Sequence, residues 1–264
     1  MSAGGDLFNG SADAYDRFVG RYGPQLSQAL IEVADVPSEG HVLDVGCGTG
    51  ILTRALAERV GEANVSAVDP SEPFVEACRQ RVPHADVRVA RAEALPFDDQ
   101  SFDAVLSQLV LNFVPDAAGA MVEMRRVTRR DGTVAGCVWD YAGGMTMLRT
   151  FWEAAEALDP ESAAPFSEGV IMRYAKPESL EALWVEAGLE GVRVEPLDAE
   201  AAYDDFDDLW APFLAGVGPA GKYAASRGSD AQAALRDEFA HRLGDPPGPF
   251  TLSARAWCAI GRAS

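Results

Sequence analysis

The sequence predicts an α/β fold in which a doubly wound, mostly parallel sheet of seven strands carries helices on both faces and a helical cap. From residue 41 onward, short runs rich in β-branched residues alternate with stretches of helical periodicity, a pattern typical of parallel βαβ units. The 264 residues are 48% hydrophobic and 24% charged, as in ordinary globular proteins. We therefore expect one domain over residues 1–264.

Five strands are predicted within the first 140 residues. The apolar run 41–45 ends in a glycine cluster, and a helix follows in which Leu52, Leu56 and Val60 share one face. The second strand ends at Asp69, and Ser71 begins a helix that continues to about Arg81. The remaining predicted elements are strands over 65–68, 86–90, 102–109 and 133–139 and a helix over 115–128.

After residue 140 the regular alternation stops. Residues 142–174 have helical character without a strand, a helix over 177–187 ends at Gly188, and two further strands are predicted over 191–197 and 250–260. The acidic and aromatic stretch between these last two strands is long enough for two helices. We assign 41–140 to the core of the sheet, 11–35 to N-terminal lid helices, and 141–176 and 198–249 to the cap.

The charge of the chain limits its partners. Its 41 acidic and 22 basic residues give a formal net charge of −19, and the arginines are dispersed along the chain. Such a charge repels nucleic acids and anionic membranes, so we expect neither as a partner. The start of the chain has no basic or apolar leader, which predicts a cytoplasmic protein. The four cysteines form no CxxC pair, so we interpret them as buried hydrophobic residues without a metal.

The strongest chemical signal is the glycine loop, residues 44–50 (DVGCGTG), between the first strand and the first helix. Its glycines allow a ligand to approach the backbone, and Asp69, 19 residues after Gly50, can accept hydrogen bonds from ribose hydroxyls. A nicotinamide dinucleotide fingerprint would need a small residue at position 51, which is Ile51. Asp44 would also place a carboxylate close to the pyrophosphate of such a dinucleotide, which disfavours this ligand. The same carboxylate suits an ammonium group.

Here the chain resembles the class I S-adenosylmethionine-dependent methyltransferases, particularly the ubiquinone/menaquinone-biosynthesis-like small-molecule branch, which have a Rossmann-like fold. The resemblance covers about residues 15–140 and rests on five motifs in order: 42–50 (VLDVGCGTG), 68–71 (VDPS), 92–97 (AEALPF), 102–108 (FDAVLSQ) and 127–133 (VTRRDGT). It implies S-adenosylmethionine as the cofactor and a small-molecule acceptor, and beyond residue 140 it implies the fold but not the identity of the substrate. We expect the cap segments to recognise the acceptor.

The resemblance also implies roles for individual residues. Asp44 would contact the methionine amino group, Asp69 the ribose hydroxyls, and Gln108 the methionine chain or ribose. The other residues implied at the cofactor are Gly46, Gly48 and Gly50 in the loop, Pro70, Ala92 and Glu93 around the adenine, and Tyr15 and Arg21 in the N-terminal segment. Tyr15 or Tyr22 would face the sulfonium, and Arg17 or Arg21 would pair with the carboxylate. The alternative for this segment is a helix packed on the sheet.

The sequence does not assign a catalytic base. Methyl transfer from a sulfonium depends mainly on positioning the acceptor, and the three histidines lie where they are structural or exposed. The residues at the carboxyl edge of the sheet are Gln108, Asn112, Trp139, Asp140 and Tyr141, although Asp140 and Tyr141 can equally form a strand-end turn. Nine aromatic and methionine residues of the cap either line an apolar or aromatic acceptor pocket or belong to the hydrophobic core. They are Met145, Met147, Phe151, Trp152, Phe166, Met172, Phe206, Trp210 and Phe213.

Three functions are compatible with these residues. The first is methyl transfer to a small molecule. The second is a protein of the same fold that binds S-adenosylmethionine or S-adenosylhomocysteine but senses it or catalyses another reaction. The third, an NAD-dependent dehydrogenase, is disfavoured by Ile51 and Asp44.

Overall fold

The computed structural model describes residues 16–264, and its centre is one seven-stranded sheet with strand order β3-β2-β1-β4-β5-β7-β6. Strands β1 to β5 are parallel, whereas β7 is antiparallel to both β5 and β6. The strands are β1 (Val42–Val45), β2 (Val65–Asp69), β3 (Asp86–Val89), β4 (Phe102–Gln108), β5 (Thr128–Trp139), β6 (Glu190–Tyr203) and β7 (Phe250–Arg262). The predicted fold class is confirmed.

Helices cover both faces of this sheet. They are α1 (Gly23–Val33), α2 (Ile51–Val60), α3 (Glu72–Arg81), α4 (Ala117–Val127), α5 (Thr146–Leu158), α6 (Pro160–Ala163), α7 (Glu168–Ile171), α8 (Pro177–Glu186), α9 (Phe206–Leu214), α10 (Gly218–Ala225) and α11 (Ser229–Arg242). One core cluster joins β1, β4 and β5 to α1, α2, α5 and the cap, and a second joins the sheet to α4 and α8. No helix of residues 16–264 is both long and apolar enough to cross a membrane.

The central strands are buried on both faces. All four residues of β1 are buried, including Asp44, because α-helices cover both sides of a parallel sheet. The carboxyl ends of β1, β2 and β4 therefore open at one edge, where the strand order changes direction and ligands bind in such sheets. This edge is where the sequence motifs meet.

The structure corrects the predicted boundary between sheet and cap. Strand β6 does not end at residue 197 but continues to Tyr203 and pairs with β7 without interruption from Arg193 onward, so residues 198–203 are not cap helix. From residue 197 to residue 203, buried and exposed residues alternate, and the buried ones are Leu197, Ala199, Ala201 and Tyr203. Small alanines gave this strand a weak hydrophobic pattern, although its period of two was present.

Two further predictions about elements need correction. The stretch between β6 and β7 holds three helices, α9 to α11, instead of two, and β5 begins at Thr128 instead of 133. The predicted lid helices over 11–35 are described only from residue 16. In this segment a short 3₁₀ helix (Val19–Tyr22) directly precedes α1, and the buried Leu26 and Leu30 of α1 pack in the core. Helix α1 is thus part of the sheet's covering layer.

Candidate functional site

A cleft lies at the carboxyl ends of β1, β2 and β4, with about 1140 Å³ of empty space that includes open solvent. The glycine loop forms one wall, because the backbone amides of Gly46 and Cys47 donate to the Val68 carbonyl at 2.8 and 2.9 Å and so join the loop to β2. Eight predicted cofactor residues line the cleft: Asp44, Gly46, Gly48, Asp69, Pro70, Ala92, Glu93 and Gln108. Gly50 lies at the start of α2, next to the cleft.

Two glycines explain how the loop leaves room for a ligand. Gly46 has φ +79°, and a Cβ atom there would collide with the Val110 side chain. Gly48 has φ +51°, a left-handed conformation that disfavours other residues, although a Cβ there would meet no atom within 4 Å. The loop backbone is therefore accessible from the cleft.

Asp44 is a buried acid, 1% exposed, at the end of β1. The Thr53 hydroxyl donates to its Oδ2 at 2.7 Å, whereas its Oδ1 is buried and has no hydrogen-bond partner in residues 16–264. Burial and, to a smaller extent, the charge of nearby Asp69 raise the pKa of this carboxyl to about 7, although the hydrogen bonds from Thr53 partly counter them. An unpartnered buried carboxylate oxygen facing a cleft is suited to a cationic ligand group.

Asp69 holds the turn after β2. Its Oδ2 accepts from the Gly48 amide at 3.0 Å and its Oδ1 from the Ser71 amide at 2.8 Å. Burial raises the pKa of Asp69, and these two hydrogen bonds partly counter that shift. Each oxygen keeps a lone pair, so the fixed carboxylate can also accept from two neighbouring hydroxyl groups.

The far side of the cleft combines a flat apolar surface with a polar edge. Pro70 and Phe74 line it with Ala92 and Glu93, which lie in a turn after β3. The Glu93 carboxylate pairs with Arg91 at 3.1 Å and is largely shielded from solvent. This side suits a planar heterocycle with hydrogen-bonding atoms at its rim.

Gln108 ends β4 and is held from behind. The Ser27 hydroxyl on α1 donates to Gln108 Oε1 at 2.9 Å, and Gln108 Nε2 approaches the Gly23 carbonyl at 3.5 Å. Helix α1 therefore orients a polar side chain of the cleft.

Two of the N-terminal residues, Arg21 and Tyr22, do not line the cleft. Arg21 forms a two-point ion pair with Asp208 of α9, at 2.9 and 2.5 Å, and lies over the Tyr203 ring. Its role as a cofactor ligand stays a prediction. Tyr22 is fully buried against Trp139 and shares a hydrogen bond with Tyr203. Tyr15 lies outside the described residues.

The strand-end residues mostly have structural roles. Asp140 accepts from the amides of Gly143 and Gly144 at 3.1 and 2.9 Å, which is the turn considered as its alternative. Asn112 Oδ1 accepts from the Tyr174 amide at 2.8 Å. The histidines His41, His84 and His241 are exposed, and all four cysteines are buried, as predicted.

Sequence reasoning missed the apolar walls of the cleft. They come from residues a short distance after the motifs: Ile51, Leu52, Phe74, Leu109, Val110, Phe113, Val114 and Pro115. Their position shortly after the strand ends could have predicted that they line the cleft. By contrast, seven of the nine residues proposed for an acceptor pocket pack in the main core, Met172 packs against its side, and Phe166 is exposed.

Comparison with known proteins identifies the family. A methyltransferase domain model matches residues 43–136, from β1 into β5. The chain is 36% identical over 197 residues to malonyl-[acyl-carrier protein] O-methyltransferase from Halorhodospira halophila, covering 66% of each chain. It is also 36% identical over 135 residues to demethylmenaquinone methyltransferase from Roseiflexus castenholzii, covering 49% of this chain and 57% of that one. The chain belongs to the class I S-adenosylmethionine-dependent methyltransferases.

A solved methyltransferase has the same fold. Phosphoethanolamine N-methyltransferase 2 from Haemonchus contortus, in complex with phosphomonomethylethanolamine and S-adenosylhomocysteine, matches with a TM-score of 0.56 at 16% identity, covering 90% of this chain and 52% of that one. The family match ends before the cap, and the alignments with the two relatives cover about two thirds or less of those proteins. The membership therefore specifies the methyltransferase core but not the acceptor.

Proposed function

We propose that this methyltransferase transfers the methyl group of S-adenosylmethionine directly to a small-molecule acceptor. The observation that carries the proposal is the pair of buried carboxylates in one cleft, Asp44 and Asp69. Asp44 offers an unpartnered oxygen, and Asp69 has both oxygens fixed by backbone amides. One suits an ammonium group and the other a pair of hydroxyls, which are the polar groups of the methionine and ribose parts of the cofactor.

The residues fit the cofactor along the length of the cleft. Asp44 would bind the ammonium group, the glycine loop would follow the methionine chain, and Asp69 would accept from the ribose hydroxyls. Pro70, Ala92 and Glu93 would surround the adenine, with Gln108 beside the methionine chain or ribose. When bound, the cofactor supplies an electrophilic methyl group on a positively charged sulfur.

The protein's contribution to the reaction is chiefly positioning. The apolar walls formed by Leu109, Val110 and Phe113 disfavour water beside the bound reactants, and the fixed strand ends would hold the cofactor and the acceptor in a defined arrangement. The relatives are named for a malonyl-acyl-carrier protein and a demethylmenaquinone, so the family accepts different acceptor groups. We assign no catalytic base.

Calorimetric titration with S-adenosylmethionine, S-adenosylhomocysteine and NAD tests the cofactor. We expect both adenosyl ligands to bind in the micromolar range and NAD to bind at least about tenfold more weakly, because Asp44 would face its pyrophosphate. Binding of NAD alone, or of no ligand, would refute the proposal.

A second measurement separates methyl transfer from cofactor sensing. The protein is incubated with S-adenosylmethionine and a panel of hydroxyl, amino and carboxyl acceptors, and S-adenosylhomocysteine is quantified by mass spectrometry. Acceptor-dependent product supports transfer. Tight binding of both adenosyl ligands without turnover on any acceptor would favour the sensing role.

A further inference from the structure

Two cysteines meet where the glycine loop contacts helix α3. Cys47 lies in the loop and lines the cofactor cleft, whereas Cys78 lies on α3 and is fully buried. Both belong to a small cluster of five buried residues, and their thiols share a hydrogen bond. A Cβ atom at Gly50 would lie 2.8 Å from Cys78 Sγ, so the loop and the helix pack closely here. The chain thus holds two free thiols side by side at the wall of the cleft.

The two thiols differ in acidity. The hydrogen bond with Cys47, assisted by Thr53 and by the positive charge of Arg81, lowers the pKa of Cys78, although burial opposes this shift. The same hydrogen bond, together with burial and the charges of nearby carboxylates, raises the pKa of Cys47. Cys78 therefore ionises first, and a proton that moves along the shared hydrogen bond passes the negative charge to Cys47 at the cleft wall.

The thiol pair is connected to both acids of the cleft. The Cys78 S–H donates to the Thr53 hydroxyl at 3.4 Å, and that hydroxyl donates to Asp44 Oδ2 at 2.7 Å. Next to the other thiol, the loop amide of Gly48 donates to Asp69 Oδ2 at 3.0 Å. A change at either sulfur therefore reaches a carboxylate that we assign to the cofactor.

We propose that Cys47 and Cys78 form a dithiol that a hydroperoxide oxidises to a disulfide, and that this disulfide weakens binding of the adenosyl cofactor. A thiolate with a second thiol beside it is the arrangement in which oxidation ends at a disulfide. The inference rests on the proposed function for the ligand whose binding is lost, whereas formation of the bond is independent of it.

The reaction needs no reactant besides the hydroperoxide. The Cys47 thiolate attacks one peroxide oxygen, the O–O bond breaks, and Cys47 becomes a sulfenic acid, while the leaving hydroxide takes up the proton released on ionisation. The Cys78 thiol then attacks the Cys47 sulfur, the S–S bond forms, and the sulfenic oxygen leaves as water. With hydrogen peroxide, two thiols are oxidised to one disulfide and the peroxide is reduced to two waters.

Bond formation displaces the glycine loop. A disulfide brings its two sulfur atoms far closer than a contact between thiols does. Because Cys78 is held on a helix that packs against the loop, Cys47 is the residue that moves. Its movement toward α3 draws Gly48 away from Asp69, and the Cys78 thiol loses the proton of its own hydrogen bond. We therefore expect the oxidised protein to bind S-adenosylhomocysteine at least about tenfold more weakly.

Peptide mapping tests bond formation without any cofactor. The reduced protein is treated with hydrogen peroxide, the remaining thiols are alkylated, and linked tryptic peptides are measured by mass spectrometry. Arginines between the two cysteines place them in separate peptides. The internal control is the pair Cys137 and Cys258, which lie opposite each other in β5 and β7 and are fully buried but do not line the cleft. The link between Cys47 and Cys78 should form at least about tenfold faster than a link between these two.

Calorimetry tests the consequence for the cofactor. S-adenosylhomocysteine is titrated into reduced, peroxide-treated and dithiothreitol-restored protein, and the affinity should fall on oxidation and return on reduction. Cys78→Ser keeps a donor to Thr53 but cannot form the disulfide, so its affinity should be the same before and after peroxide. Cys137→Ala retains the proposed pair and should lose affinity as the parent protein does. Bound S-adenosylhomocysteine should slow the formation of the link, because it covers Cys47.

The proposal is overturned if peroxide does not link Cys47 to Cys78, or if it links them no faster than Cys137 and Cys258. It is also overturned if the linked protein binds S-adenosylhomocysteine as tightly as the reduced protein, or if Cys78→Ser loses affinity on peroxide treatment as the parent does. A link that forms rapidly in a protein whose reduced form binds no adenosyl ligand would instead reject the proposed cofactor and retain the dithiol as an oxidation site.

Discussion

At the scale of single residues, Asp69 links the shape of the cleft to its chemistry. We predict that Asp69→Asn weakens S-adenosylhomocysteine binding by about 1.5–3 kcal/mol, because charged hydrogen bonds to the ribose are replaced by neutral ones. Calorimetry measures this as a rise in Kd of about tenfold to a hundredfold. Glu72→Gln makes the same charge change at an exposed site one turn away and should leave Kd unchanged. An unaltered Kd for Asp69→Asn would remove this residue from the site.

Asp44 should make binding depend on pH. Its pKa is raised by burial to about 7, so at pH 6 most molecules carry a neutral Asp44 that cannot pair with an ammonium group. We predict that the affinity for S-adenosylhomocysteine rises roughly eightfold from about pH 6 to 7.5, as the ionised fraction grows. Calorimetry should also detect proton release near pH 6.5. Asp44→Asn should bind weakly with a flatter pH profile, and an identical profile would contradict the assignment.

The sequence could identify the cleft residues because each directly follows a strand. In a parallel sheet, strand ends meet at one edge, so Asp44, Asp69 and Gln108 could be placed together from local patterns alone. Arg21 could not be placed, because its partner Asp208 is 187 residues away. The burial of Glu168, the first residue of α7, carried no local signal, since α7 has only four residues and its acid is buried by the separate helices α5 and α10.

At the scale of elements, the N-terminal segment is attached to the cap by one ion pair. Arg21 and Asp208 are both about four-fifths buried, and Phe18 of the same segment contacts Phe213 of α9 at 4.8 Å between ring centroids. Phe18 and Val19 also line a small cavity that shares Leu109 and Phe113 with the cofactor cleft. The pair therefore holds one wall of that cavity in place.

We predict that Asp208→Asn destabilises the protein by about 1–2 kcal/mol, because a partly buried two-point pair is lost and Arg21 remains. Proteases should cleave near residue 20 faster, and the melting temperature should fall by a few degrees. Asp207→Asn on the same helix is the control, because its pair with Arg236 is far more exposed. Equal effects of the two variants would show that the Arg21 pair does not attach the segment.

Helix and strand content after residue 140 was harder to predict than before it. The parallel core repeats one unit, whereas β6 and β7 are stabilised by pairing with each other over twelve positions from Glu190 to Tyr203. Alanine-rich alternation such as Ala199 and Ala201 is a weak strand signal by itself. Ala199 and Ala201 adopt the strand conformation because they pair with β7.

At the scale of the whole molecule, buried acids oppose the stability of the ligand-free fold. The pKa values of Asp44 and Glu168 are each raised to about 7, so the folded state binds more protons than the unfolded state between about pH 4 and 7. The free energy of unfolding therefore falls as pH rises through this range, by on the order of 3 kcal/mol for each acid, and levels off above it. The net charge of −19 acts in the same direction.

Urea unfolding without ligand, at fixed ionic strength, tests this at pH 5.5 and pH 8. We predict greater stability at the lower pH, and a smaller difference between the two pH values for Asp44→Asn combined with Glu168→Gln, because neither amide ionises. The exposed pair Glu72→Gln and Glu161→Gln changes net charge equally and should keep the full difference. If both double variants behave alike, the pH dependence arises from overall charge. If only the Asp44→Asn and Glu168→Gln variant shows the smaller difference, Asp44 and Glu168 are buried acids that the fold retains at the expense of its stability.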